Sequence, residues 1–562
     1  ARRDRSAAVA AVSLVTIAAL LATILLLPTD LALIGNTSSS HLGLRKSWAT
    51  PQRIEHLMRV LKIVYYALYS LDALLCLLVL PFTYFWCEER GEVGEEGGRQ
   101  NGTRRCWGAV KYSLSFLLLV VIIFVTGFFL PVPRDLHGDH GDSDYAKKLL
   151  ADNNSDHALT FALGFLITLG TLLYVVFTGA GMAILPMSFL RPPSVLSLPS
   201  DAERSVSALE GNRERQRQLE GRAGRLPNGL SSKERRELDA LVREERTLVR
   251  RERLAAETVA ENTSWMSKTW RKLGAIFRPV SLLFGGLLLV LALIIWCSML
   301  LTGIDKASNS LCKGRCGYIL AEINVLNPIN WILYKSADVY PVDYVLVAML
   351  ILFFFCSSVC GLTSIGIRFV WIRLFRIRKG RTSPQAMLIG TFTLALIVLA
   401  INYAMTTIVA PQYATFGSQT FCDFDPPRPG AARDCSKHPE FILTCSDVST
   451  SPAAAEVCLP SVMSTFLNRI AVNYSFFGVF DFFAQFAFLA VFLIAFFMSL
   501  VRAPRVNWDE MEEDARSDEE ESLLGRRPRS WHDVTGRRSS SDPSSLPLPR
   551  NDLDTGGNYG TC

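Results

Sequence analysis

The sequence predicts an all-α polytopic membrane protein with eight transmembrane helices, a cytoplasmic helical hairpin and a disordered C-terminal tail. Three observations lead there. Half of the 562 residues are hydrophobic, and mean hydropathy is +0.25. The apolar residues are gathered into blocks instead of recurring with the strand or helix period of a soluble chain. Several blocks reach the ~20 residues a helix needs to cross a bilayer core. In lipid an isolated strand would leave its backbone groups unpaired, so each block is read as a helix.

The blocks are 7–27, 60–86, 112–132 and 158–185 in an N-terminal membrane region (1–185), and 280–301, 344–366, 387–409 and 476–500 in a C-terminal one (280–500). The first is flanked by Arg2, Arg3 and Arg5, as a signal peptide would be. Its apolar run is long for that role and is followed by Pro28-Thr29-Asp30, not a small-residue cleavage site, so it reads as a retained span. The second is interrupted only by Lys62 and Asp72. The fourth carries Gly164, Gly170, Gly179 and Gly181, small residues that let helices approach closely. Asp72, Asp481 and Gln485, one turn beyond Asp481, are candidates for a polar path, because an ionisable group inside a span is a functional candidate by default. Snorkelling or a structural hydrogen bond explains them equally well. Asp30 and Asp343 fall at span ends, where water is expected to reach them. Cys356 and Cys360 are expected to pack as small apolar residues.

Lysine and arginine mark the cytoplasmic side. Segments 87–111, 186–279 and 367–386 are rich in them, the last through Arg368, Arg373, Arg376, Arg378, Lys379 and Arg381. With eight alternating spans these fall on one side, together with both termini. The string VWIRLFRIRKGRTSPQA (370–386) thus reads as a membrane loop and not a nucleic-acid surface: its aromatic residues anchor at the interface and its cations stay in the cytosol. The opposite side receives loops 28–59, 133–157, 302–341 and 410–475. These hold candidate glycosylation sites at Asn36, Asn153 and Asn473, the last too close to a span to be a good acceptor. They also hold Cys312, Cys316, Cys422, Cys435, Cys445 and Cys458, six of the 13 cysteines, where an oxidising lumen would pair them. Pairing within each loop is expected; the connectivity is open.

Segment 186–279 contains two charged stretches separated by GRAGRLPNG, with a capping box at Ser231 and Glu234 and a thin apolar stripe through Leu238, Leu241, Leu248 and Ala255. It reads as an antiparallel helical pair, either a partner-binding arm or a solvated connector. The tail, 501–562, has a disordered composition. Its Glu519, Leu523 and Leu524 resemble the dileucine signal that clathrin adaptors read. RDLHGDHGDSD (134–144) places His137 and His140 among aspartates, fitting a metal or pH-sensing site or, more simply, a flexible loop. The strings GxxxxGK[ST], HExxH, GxSxG and zinc-spaced CxxC are absent, so nothing in the motifs suggests an enzyme, a catalytic cofactor or a bound metal.

LLPTDLAL (26–33), YYALYS (65–70), NPIN (327–330), YPVDY (340–344), FVWIRLFRIRKGRT (369–382), GRTSPQA (380–386) and APQYATFGSQ (410–419) occur in the order in which they stand in the lysosomal cobalamin transporter family, within the limb-region membrane proteins, which this chain resembles. The resemblance implies a protein of lysosomal or vacuolar membranes that moves cobalamin from lumen to cytosol. It implies nine spans with a cytosolic C-terminus, so a further span is expected before Ala1. It assigns no residue to a cobalamin site. The expected partners are the bilayer, cobalamin as cargo, a partner transporter ATPase and clathrin adaptors; no nucleic acid is expected. The competing reading is a receptor or escort that does not transport and acts through the hairpin and the lumenal loops.

Overall fold

The computed structural model describes residues 7–39, 42–92, 100–129, 154–190, 198–223, 237–238, 240–242, 244–245, 249, 265–310, 317–318, 325–369, 372–375, 384–424, 433, 435–436, 438–445 and 452–501. Asn153, Cys312, Cys316, Ser231, Glu234, the 134–144 string, and Glu519, Leu523 and Leu524 of the tail lie outside them.

The described residues of the eight apolar blocks are helical except Gly366, and most of the helices outrun their blocks. Ala7–Gly35 continues through Pro28, which a membrane helix tolerates where neighbours satisfy the freed carbonyl. Pro51–Leu74 starts well before the block at 60, with Thr50 at the N-cap position, Pro51 in the first turn and an Arg59–Glu55 ion pair at 2.9 Å on its polar face. It runs on through a π-helical segment, Leu75–Val79, into Leu80–Glu92. Gln100–Phe129, Asn154–Leu173 with Gly179–Leu190, Trp265–Asn309, Val342–Ile365, Pro384–Ala404 and Ser475–Val501 complete the set. Among the described residues, seven helices are long and apolar enough to cross a membrane. Residues 112–129 of the block at 112–132 lie in Gln100–Phe129, whose described apolar stretch, Cys106–Ile122, is shorter.

The chain divides into two compact units, one built on Ser197–Glu261 and the other on Arg3–Leu196 with Asn262–Arg505. In the first, helix Leu198–Ala223 buries Leu209, Asn212, Gln216 and Leu219 along one face. Arg213 pairs with Glu245 at 2.8 Å and Arg215 with Glu237 at 3.1 Å, so the chain around 237–245 runs back antiparallel to the helix. Hydrogen bonds from Arg213, then Gln216, hold the Glu245 carboxyl below its usual range.

The larger unit is the bundle. Its most enclosed span is Pro384–Val409, with 83% of its apolar window buried, while Leu14, Ile63, Leu283 and Phe483 face outward as lipid-contacting residues do. Lipid tails are as apolar as leucine, so close backbone approach must supply what hydrophobicity cannot. The Asn154–Leu190 segment supplies it. A Cβ at Gly181 would stand 1.8 Å from the Ser357 carbonyl oxygen, one at Gly361 would stand 1.8 Å from that of Phe177, and one at Gly170 would stand 2.2 Å from that of Leu396. Thr178 and Ser358 hydrogen-bond across the same contact at 2.8 Å.

The described residues of segment 410–475, expected as a loop, form a folded cap of helices Pro411–Phe416, Pro452–Val457 and Val462–Asn473 with strands Thr420–Cys422 and Ile442–Thr444 paired antiparallel. Disulfides join Cys422 to Cys435 and Cys445 to Cys458. The hairpin Ser38–Ser39/Leu44–Arg45 seats Gly43 (φ +60°) against this cap, its carbonyl accepting from Cys422 N at 3.0 Å. The basic loop after Val342–Ile365 forms a second hairpin, Ile367–Phe369 with Ile372–Phe375, and the next helix starts at Pro384. Helical periodicity could not reveal these short β ribbons.

Candidate functional site: polar groups inside the bundle

The polar residues of the spans gather into three groups. The first lies between Ala7–Gly35, Pro51–Leu74 and Pro384–Ala404. Asp72 Oδ2 accepts from Thr23 Oγ1 at 2.6 Å. Asp30 Oδ2 accepts from the Tyr65 hydroxyl and from Met463 N, each at 3.3 Å. Tyr65 and Tyr69 stack with ring centroids 6.2 Å apart, and Asn402 Nδ2 donates to the Tyr69 hydroxyl at 3.4 Å. Tyr65, Tyr69 and Asp72 share one helical face because their spacing repeats close to the 3.6-residue turn.

The second group surrounds Asp481. The Tyr403 and Thr171 hydroxyls hydrogen-bond its carboxylate, and the charge of buried Lys306 acts on it. Gln485 Nε2 donates to the Met299 carbonyl at 2.5 Å, and Asn309 Nδ2 donates to Asp305 Oδ1 at 2.6 Å.

The third group joins segments far apart in sequence. Asn327 caps Pro328–Ser336, its Oδ1 accepting from Ile329 N at 3.0 Å and Asn330 N at 3.1 Å, while its Nδ2 donates to Thr302 Oγ1 and the Val409 carbonyl. Asn330 Oδ1 accepts from Tyr413 N at 3.2 Å, the Tyr413 hydroxyl donates to Asp343 Oδ2 at 2.6 Å, and Tyr344 meets Ser418 at 3.1 Å. Burial, then the neighbouring Asp343 carboxylate, pushes the Tyr413 phenol far above its ordinary range. NPIN, YPVDY and APQYATFGSQ therefore meet in space, with Gly35 of the first helix against Tyr344 and Ser418. Asp30 and Tyr65 bring LLPTDLAL and YYALYS together beside them.

These positions correct two expectations. Asp30 is 0% and Asp343 is 2% exposed, so neither is reached by water; helices that outrun their blocks, and the folded cap, enclose both. Cys356 is exposed on the bundle surface, not packed inside, and Cys360 is half-buried. Asn36 is exposed, with its side-chain oxygen accepting from Lys46 Nζ at 2.6 Å, whereas Asn473 is buried and presents no acceptor in the folded chain. Asp72 and Asp481 lie in separate groups, flanking Asn402 and Tyr403 of the same helix. Sequence reasoning missed Tyr65, Asn402, Tyr403 and Lys306. Asn402 was detectable, as an amide deep in an apolar block; Lys306 lay past the block that ends at 301. Among the described residues, no cluster of three or more His, Cys, Asp or Glu could hold a metal.

The LMBR1-like membrane protein family matches residues 1–275. A protein of Podospora anserina is 54% identical over 562 residues, covering 99% of this chain and 93% of its own length. One of Sclerotinia sclerotiorum is 56% identical over 546 residues, 96% of this chain and 91% of its own. One of Neurospora crassa is 53% identical over 539 residues, 95% and 89% respectively. Each is named "probable lysosomal cobalamin transporter". No solved structure matches the chain.

Proposed function

The chain belongs to the LMBR1-like membrane protein family, alongside relatives named lysosomal cobalamin transporters, and from that premise we propose that it carries cobalamin across a lysosomal or vacuolar membrane from lumen to cytosol. The observation that carries the proposal is identity of 54% sustained over 99% of the chain, which leaves no room for an unrelated membrane architecture. Cobalamin is large and amide-rich, so a carrier needs polar groups inside an apolar bundle, and the three buried groups supply them. The basic segments and the C-terminus lie in the cytosol and the disulfide-bonded cap in the lumen, an orientation supported by the arginine distribution and by the oxidising environment disulfides need. Glu519, Leu523 and Leu524 would then face clathrin adaptors, and a transporter ATPase is a partner for the cytosolic side.

Uptake of labelled cobalamin into liposomes that contain only the purified chain, cap outward and with an ion gradient imposed, tests the proposal. Uptake above empty liposomes supports it. Cobalamin binding without uptake under every gradient would instead make the chain a receptor or escort.

A further inference from the structure

Several buried polar groups in the bundle have a counterpart: Asn327 caps a helix, and the charge of Lys306 acts on Asp481, although one Asp481 oxygen is also buried without a partner. Around Asp72, among the described residues, no cation acts. Counted from the start of its block at 60, Asp72 lies ~18 Å along the helix, close to the middle of a ~30 Å hydrocarbon core. Its Oδ2 accepts from Thr23, and its Oδ1 is buried with no partner. Two turns toward Gly35, ~10 Å along the first helix, Asp30 repeats the pattern. Its Oδ2 takes Tyr65 and the Met463 amide, and its Oδ1 is buried and unpartnered. The rings of Tyr65 and Tyr69 stack, Tyr65 bonded to Asp30 and Tyr69 feeling the charge of Asp72.

The groups acting on Asp72 are Thr23 from the first helix and, on its own helix, Tyr69 and Cys76. Those acting on Asp30 are Tyr65 from the second helix and the Met463 and Val462 amides of Val462–Asn473. Among the described residues no lysine or arginine acts on either. A carboxylate removed from water without a cation costs far more than one or two hydrogen bonds return, and it neutralises by binding a proton. In its acid form it also becomes a donor, so it can pass that proton to a phenol oxygen. A π-helical segment, Leu75–Val79, begins just after Asp72 and another, Met405–Val409, just after Asn402 and Tyr403, with a further one at Tyr174–Thr178, and such segments are frequent at functional sites.

We propose that Asp72, reached from the Gly35 end of the bundle through Asp30, Tyr65 and Tyr69, binds the proton whose movement down its gradient drives cargo export. This rests on the transporter reading above and adds its energy source. In each cycle the bundle opens Asp30, enclosed in this conformation, to lumenal water; a proton passes through its carboxyl and the phenols to the Asp72 carboxylate and, after the bundle opens on the other side, is released to cytosolic water. No bond to the cargo is made or broken.

Two measurements on the full chain decide it. The first is the infrared difference spectrum between wild type and Asp72→Asn at neutral pH, where a protonated-carboxyl band assigned to Asp72 is expected. Asparagine keeps an oxygen for Thr23, so the fold should survive, and cobalamin binding is the check that it has. No such band overturns the proton site whatever the transport result. The second is uptake of labelled cobalamin into liposomes acidified on the cap side, with a trapped pH dye. Wild type is expected to take up cobalamin and acidify the interior together. Asp72→Asn should lose gradient-driven uptake by about tenfold with binding retained. Tyr69→Phe, which forfeits only two 3.4 Å contacts, should keep the infrared band and slow uptake. Equal gradient response in wild type and Asp72→Asn overturns the coupling. A band in wild type with no cobalamin uptake by any gradient overturns the transporter reading and leaves the proton site standing.

Discussion

Replacing Gly181 by alanine would set a methyl group 1.8 Å from the Ser357 carbonyl oxygen and 2.7 Å from its carbon. The obstacle is backbone, so no side chain can rotate away. The two helices must part by about 1 Å, and overpacking of that kind costs ~1–3 kcal/mol. The Thr178–Ser358 hydrogen bond, 2.8 Å long, spans the same contact and would be stretched, for about 1 kcal/mol more. Against this, alanine gains about 1 kcal/mol in helix propensity over glycine. The balance is a destabilisation of ~2 kcal/mol. Gly286→Ala is the matched control: nothing lies within 4 Å of where its new methyl group would stand, so it keeps the propensity gain and meets no clash. Thermal melting of the purified chain in detergent should place Gly181→Ala clearly below wild type and Gly286→Ala at or above it. If the two variants melt together, the backbone contact does not hold these helices.

Tyr413→Phe removes the donor to buried Asp343 and is expected to cost ~1–3 kcal/mol in the same melt. Combining it with Asp343→Asn should cost less than the sum of the single changes, because the orphaned charge is gone. Cys445→Ser opens a bridge between residues 13 apart and should cost about 3 kcal/mol, with a matching loss of the reductant-sensitive gel shift. The Glu440 carboxyl in the cap is held below its ordinary value of 4.5 by its own backbone amide, then by His438. Its contribution is therefore present above pH 4.5 and is lost as pH falls through the lower folded value, so Glu440→Gln should flatten the acid limb of the melting profile. Protease-accessible tags placed at Asn228 and within 423–433 should show opposite protection in sealed vesicles; equal accessibility would refute the alternating topology.

The membrane class and seven of the eight blocks, those in helices long and apolar enough to cross a membrane among the described residues, were legible in the sequence, because bilayer crossing is set by local composition and length alone. The glycines of the fourth block were legible as packing residues, yet their partners were not: Gly361 sits against Phe177 only because two helices cross there. Helix ends were misjudged for a physical reason. Hydropathy reports where lipid stops, whereas Ala7–Gly35 and Trp265–Asn309 stop where capping and tertiary contacts allow. That error made Asp30 look solvated and hid Lys306.

The site divides along the same line. Asp72 and Asp481 stood out because a charge in an apolar run is visible to anyone counting residues. Their environments were not visible. Asp72 meets the Thr23 hydroxyl with no cation acting on it among the described residues, whereas the charge of Lys306 acts on Asp481, and no local pattern encodes that difference. By itself the sequence determined that the chain lives in a bilayer and which family motifs it carries. Only the tertiary structure decided that NPIN, YPVDY and APQYATFGSQ form one hydrogen-bonded group, because such bonds join residues as far apart as Asn330 and Tyr413, and no local pattern encodes which distant partner will satisfy a buried donor.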